Sequence, residues 1–167
     1  MTDDAVKIRA VKIEDAPDIN QMRTMDGVRE NILGMTSERI ADTEKFIREL
    51  TPNDHILIAE IDGAAVGYVS LHVLPIPRVR HIARIGVMVK ADCQGRGIGR
   101  TLMAAALDLA DNWLMLKRVE LEVFVGNERA VALYRSLGFV VEGTRKYAAT
   151  HNGEYADDYL MARYGKL

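Results

Sequence analysis

The chain has 167 residues, 49% of them hydrophobic and 28% charged, which suits one soluble globular domain with one sizeable core. A formal net charge of −2 removes the electrostatic reason to expect a nucleic-acid partner, and a single cysteine, Cys93, excludes an internal disulfide framework. The start, MTDDAVKIRA, carries acid where a secretory leader needs positive charge, and no apolar stretch approaches the length of a membrane span. The expectation is a cytoplasmic protein with neither a nucleic-acid nor a membrane partner.

In chain order, VKIRAV alternates as a first strand. EDAPDINQM opens a helix, with Asp15 as its cap and Pro17 in its first turn. DGVRENILGMTSER has no clear period and reads as a loop. It leads to a second helix, starting at Thr36 or Ser37 and running to about Leu50, with Ile40, Phe46, Ile47 and Leu50 as its apolar face. HILIAEIDGAAVGYVSLHVL is two β-rich runs around an Asp62-Gly63 hairpin turn. PIPRVRH breaks the pattern, and IARIGVMV is the next strand. A long helix from roughly Ile98 to Leu116 follows, with Trp113 expected in the core beside Leu109 and Leu116. RVELEVFV is a strand, NERAVALYRSLG a short helix ended by Gly138, and FVVEGTRKYAAT a strand. Asn152-Gly153 turns the chain into the last strand, EYADDYLMARY. Antiparallel strands first and a strand-helix-strand crossover later predict an α+β protein. Its mixed sheet has at least one parallel pair, in a single domain spanning residues 1–167.

The joint between IARIGVMV and the long helix carries Gln94-Gly95-Arg96-Gly97-Ile98-Gly99-Arg100. Glycine costs backbone entropy on folding, so three alternating glycines suggest backbone N–H groups closing around phosphates at a helix N-terminus. A P-loop is excluded, because no lysine follows these glycines at the required place. A dinucleotide fingerprint fails as well, since Arg100 or Leu102 occupies its last glycine position and Glu120 lies at the start of its strand. No His, Cys and Asp cluster has metal-ligand spacing.

Gln94, Gly97 and Gly99 do fit the pattern Gln/Arg-x-x-Gly-x-Gly/Ala, and here the sequence resembles the GNAT superfamily of acetyl-coenzyme A-dependent N-acetyltransferases. ELEVFVGNERAVALYRSLGF resembles the second signature of that superfamily: a strand, Asn127, and a short helix carrying Tyr134 and ending at Gly138-Phe139. DNWLMLKRVELEVFVGN and EGTRKYAATHNGEYADDYLMAR further resemble a bacterial branch that acetylates free L-amino acids. The resemblance implies a central, mostly antiparallel twisted sheet flanked by helices, acetyl-CoA as cosubstrate, direct transfer without a metal, a small-molecule amine acceptor, and a homodimer.

It also implies roles for single residues. The main chain of Val87, Met88 and Val89 would receive the pantetheine arm as an added strand. The loop of Gln94, Gly95, Arg96, Gly97, Ile98, Gly99 and Arg100 would hold the pyrophosphate. Asn127 would bind the coenzyme arm or cap its own helix, and Tyr134 would protonate the departing sulfur. The base is less determined. Where relatives carry an acid, this strand has Arg84, which cannot accept a proton but can grip a substrate carboxylate. Glu122 is the first candidate base, ahead of His81, His151 and a water relay. Peptide, polyamine or antibiotic acetylation, or coenzyme sensing without catalysis, are the alternatives to amino-acid acetylation.

Overall fold

Both hairpin turns close in the conformation their sequences demand. Asp62 and Gly63 have φ of 50° and 81°, and Asn152 and Gly153 have 47° and 85°. Two successive left-handed residues make the tight turn that matches strand twist. Around these turns the computed structural model, which describes residues 5–165, builds one seven-stranded sheet. The acidic start, Met1–Asp4, lies outside the described residues.

The elements are β1 (Lys7–Ala10), α1 (Ala16–Thr24), α2 (Ile40–Arg48), β2 (Asp54–Ile61), β3 (Ala64–Val73), β4 (Ile82–Val89), α3 (Ile98–Asp108), β5 (Arg118–Phe124), α4 (Glu128–Ser136), β6 (Val140–His151) and β7 (Glu154–Tyr164). The strand order is β1-β2-β3-β4-β5-β7-β6. Only β4 and β5 run parallel; every other neighbouring pair is antiparallel. This is the α+β mixed sheet expected from the element order.

Alternation along β4 assigns the faces. Ala83 and Ile85 pack with Leu102 and Met103 of α3 and with Val119, Leu121 and Val123 of β5. Met88 points the other way and packs with Ile19 and Met22 of α1, Ile58 and Ala65. Helices α3 and α4 thus cover one face, and α1 with its following loop covers the other.

The parallel pair is short. Ile82, Ala83 and Arg84 register with Arg118, Val119 and Glu120, and no pairing continues beyond them. From there β4 stays with β3 as far as Val89, while β5 stays with β7 as far as Phe124. The two central strands therefore diverge toward their C-terminal ends. The β4 edge facing the gap keeps backbone donors and acceptors that no strand uses.

Three expectations are corrected. Helix α2 begins at Ile40, not at Thr36 or Ser37. The preceding residues are pinned as loop, because Arg23 grips the Glu38 carboxylate at 2.5 and 2.9 Å and Asn20 donates to the Glu38 carbonyl at 3.1 Å. Ile40 and Phe46 are exposed, and of the predicted face Ile47 packs against the α1 cluster. Trp113 is not core; it is 75% exposed. Helix α3 ends at Asp108 and widens into one π turn over Leu109–Trp113, which rotates Trp113 off the buried stripe. Ala110 and Leu116 fill the core there instead, tied by a 2.8 Å bond from the Leu116 N–H to the Ala110 carbonyl.

Asp15 stands before α1 as predicted, but its carboxylate turns away from the helix. It accepts the Lys12 N–H at 2.7 Å and both arms of Arg9 at 2.8 and 2.7 Å, and Arg9 also pairs with Glu60. Burial pulls the Asp15 carboxyl upward; the Arg9 guanidinium and the Lys12 N–H more than reverse this and hold it below its ordinary value near 3.8. A lowered pKa contributes stability above the ordinary value that is lost as pH falls below it. Arg9→Met strands a buried carboxylate and is expected to cost about 3–5 kcal/mol at neutral pH. Denaturant unfolding should show that loss shrinking as the pH is lowered through the acid range.

Candidate active site

The joint after β4 is built by two left-handed glycines. Gly95 and Gly97 each have φ of 80°, a conformation that side chains resist, and they swing the chain from a single 3-10 turn (Ala91–Cys93) into α3. A Cβ on Gly97 would meet nothing within 4 Å, so that position faces open space. The first N–H groups of α3 have no acceptor within the helix and carry the positive end of its dipole.

Side chains fasten this loop to three elements. Gln94 donates to the Val89 carbonyl at 3.1 Å and to the Gly27 carbonyl at 3.3 Å, and it accepts from Arg129 at 3.4 Å. Arg100 reaches across to Ser136 of α4 at 2.8 Å. Asn127 caps α4, its Oδ1 accepting the Ala130 N–H at 3.3 Å, so the capping role weighed from sequence is filled.

The loop, the β4 edge and α4 enclose a recess of about 320 Å³. Val87, Met88, Val89, Gln94, Gly95, Gly97, Ile98, Gly99, Arg100, Glu122, Asn127 and Tyr134 all line it. Arg96 does not, and neither does Arg84. The arginine that joins Arg100 on its wall is Arg129, two residues past the Asn127 cap. Gly27, Val28, Asn31 and Ile32, from the loop after α1, complete the wall. Sequence patterning missed these. The signal for Arg129 was its place in the first turn of a helix that starts beside the glycine loop.

A second recess, of about 510 Å³, opens on the α1 side of the sheet. Its walls are Asn31, Ile32 and Leu33 from the α1–α2 loop, Tyr68, Ser70 and Met88 from the sheet, and Arg145, Ala148 and Ala149 from β6. The two recesses share Val87, Met88, Glu122, Val123 and Tyr134, together with Asn31 and Ile32. They meet through the sheet, where β4 and β5 part.

Tyr134 and Glu122 reach this meeting point from opposite faces. Val119, Leu121 and Val123 point toward α3 and α4, so Glu122 points to the other side, while Tyr134 comes from α4 itself. Tyr134 is 7% exposed, its ring 5.9 Å from Phe139, and burial pushes its phenol up to about 12. Its hydroxyl donates to no described residue and keeps its proton through the neutral range. Glu122 is half-exposed and pairs with Arg145 at 2.7 Å.

Arg84 is 67% exposed and pairs with Glu120 at 3.5 Å, outside both recesses. The parallel register sets Arg84 opposite Glu120 on β5. His81 and His151 line neither recess. Among the described residues no group of three His, Cys, Asp or Glu could hold a metal ion, and no helix is long and apolar enough to cross a membrane.

The profile of the acetyltransferase (GNAT) family matches residues 23–139, which include both recess walls on β4, the glycine loop and α4. The chain is a GNAT acetyltransferase. It is 41% identical to the L-amino acid N-acetyltransferase AaaT of Escherichia coli over 129 residues, covering 77% of this chain and 75% of that one. It is 40% identical to the N-alpha-acetyltransferase RimI of Mycobacterium tuberculosis, covering 71% and 72%. The spermidine N-acetyltransferase of Vibrio cholerae, solved in complex with CoA and spermine, superposes with a TM-score of 0.85 at 25% identity, covering 95% of each chain. The enzyme's cosubstrate is acetyl-CoA. The first recess suits it: an unpaired strand edge for an amide-bearing arm, a helix N-terminus for phosphate, and two arginines beside it.

Proposed function

We propose that this enzyme acetylates the α-amine of free L-amino acids. The observation that carries the reading is the second recess. It is of small-molecule size, is bounded by the α1–α2 loop and β6, and holds an arginine beside Glu122, where a polyamine site would call for an open acidic groove. Similarity to an L-amino acid N-acetyltransferase supports the same substrate class.

In this reading the main chain of Val87 and Val89 binds the coenzyme arm. The N–H groups of the loop from Gln94 to Gly99, with Arg100 and Arg129, hold the phosphates. Acetyl-CoA supplies the activated acetyl group. Glu122 takes a proton from the substrate ammonium, and the freed amine attacks the carbonyl carbon through the opening in the sheet. The carbon–sulfur bond breaks as Tyr134 gives its hydroxyl proton to the sulfur, and solvent restores the phenol. Two protons leave nitrogen; one ends on the thiol and one in solvent.

The test is thiol release from acetyl-CoA against L-amino acids, peptides, polyamines and aminoglycosides. Selective turnover of amino acids is the expected result. Turnover of peptides or polyamines alone would discard the substrate class. No turnover of any amine despite coenzyme binding would make the chain a coenzyme sensor.

A further inference from the structure

Arg145 occupies an unusual position between two carboxylates. Asp158, only 5% exposed, accepts from its Nε at 2.8 Å and its Nη2 at 2.5 Å, which fixes the guanidinium plane. The same Nη2 reaches Glu122 at 2.7 Å. Nη1, with two N–H bonds, donates to no described residue, although Arg145 lines the second recess. An α-amino acid carries its amine and carboxylate on one carbon. The receptor for the carboxylate must therefore adjoin the group that takes the amine's proton. Arg145 meets that condition by touching Glu122. Arg23, the other arginine on this wall, is gripped by Glu38, and Arg84 lies outside the recess.

We propose that Arg145 is the receptor for the substrate α-carboxylate, and that the incoming carboxylate loosens its hold on Glu122. This rests on the amino-acid reading above. A second anion on the guanidinium takes charge away from Glu122, and a carboxylate that loses its cation accepts a proton more readily. The base is then released when a carboxylate-bearing substrate is seated, while an amine without a carboxylate meets Glu122 still bound. Asp158 is what allows the exchange, since it keeps the guanidinium in place as its other partner changes.

The experiment compares each L-amino acid that is turned over with its own α-carboxamide. The amide has the less basic amine, so without a carboxylate receptor it would be the better substrate at neutral pH. Wild type is expected to favour the acid by on the order of 10–100-fold in kcat/KM, with KM reporting the lost carboxylate contact and kcat the base that stays bound. Arg145→Lys keeps a charge beside Asp158 but loses the fork, and Arg145→Met loses both; each should bring the ratio to one or below, in favour of the amide. Acetyl-CoA affinity, measured by calorimetry, should be retained and reports that the variants are folded. A wild-type ratio of one or below overturns the proposal without needing any variant. A ratio that survives in Arg145→Lys and Arg145→Met overturns it too, and either result leaves amino-acid acetylation standing. Turnover of peptides or polyamines in place of amino acids removes that reading and the carboxylate receptor with it.

Discussion

Tyr134→Phe is expected to lower kcat by about 10²–10⁴-fold while leaving acetyl-CoA affinity within a few-fold of wild type. The substitution removes one oxygen and little else. The ring keeps its place against Phe139, and the hydroxyl holds no described partner whose loss would cost stability. What disappears is a proton donor at the opening where the two recesses meet. A tenfold change is about 1.4 kcal/mol, so the predicted loss is roughly 3–5 kcal/mol of transition-state stabilisation. Burial raises the phenol to about 12, which favours the O–H form. The Tyr134-dependent activity should therefore persist as the pH is raised through the neutral and mildly alkaline range, and decline only as that value is approached. An acetyl donor whose leaving group departs without a proton offers a sharper check. The variant should recover most of its activity with such a donor, and equal losses with both donors would remove Tyr134 from the role of acid.

The sheet explains how the proposed acid, Tyr134, and the proposed base, Glu122, can work from opposite faces. A continuous β4–β5 ladder would separate the α4 side from the α1 side by a full layer of backbone. The pairing instead stops after Arg84 and Glu120, and the gap lets Tyr134 and Glu122 line one passage. One strand edge thus offers both a docking ladder and a way through.

Much of this was legible in local sequence. Asp62-Gly63 and Asn152-Gly153 dictate their turns by backbone sterics alone, and IARIGVMV and EYADDYLMARY became strands with those bounds. The glycine loop was readable for the same reason: few other residues accept φ near 80°. What was hidden depends on contacts between distant segments. Nothing near Arg145 announces that it will meet Glu122, 23 positions earlier, through a strand order that inserts β7 between β5 and β6. Nor does the loop after α1 announce that Asn31 and Ile32 will line both recesses. Trp113 was misplaced because one added residue in a π turn changes which side of a helix faces the core.

Glu122→Gln separates the proposed proton-accepting role of Glu122 from the other roles of its site. Glutamine keeps the size and can still accept from Arg145, so the recess should hold its shape, and coenzyme affinity should not move. If Glu122 is the base, as proposed, the substitution is expected to cost about 10²–10⁴-fold in kcat/KM at neutral pH. The pH dependence distinguishes this from a packing defect. Without an internal base, the variant depends on the small fraction of amine that is already neutral in solution. That fraction grows tenfold for each pH unit until the amine's own pKa is reached. The variant's kcat/KM should rise with that slope and approach wild type in alkaline solution, whereas a damaged recess would be depressed equally at every pH. A loss that does not shrink as pH rises would take the proton-accepting role from Glu122. It would pass instead to a water held elsewhere in the recess, since neither His81 nor His151 reaches its walls.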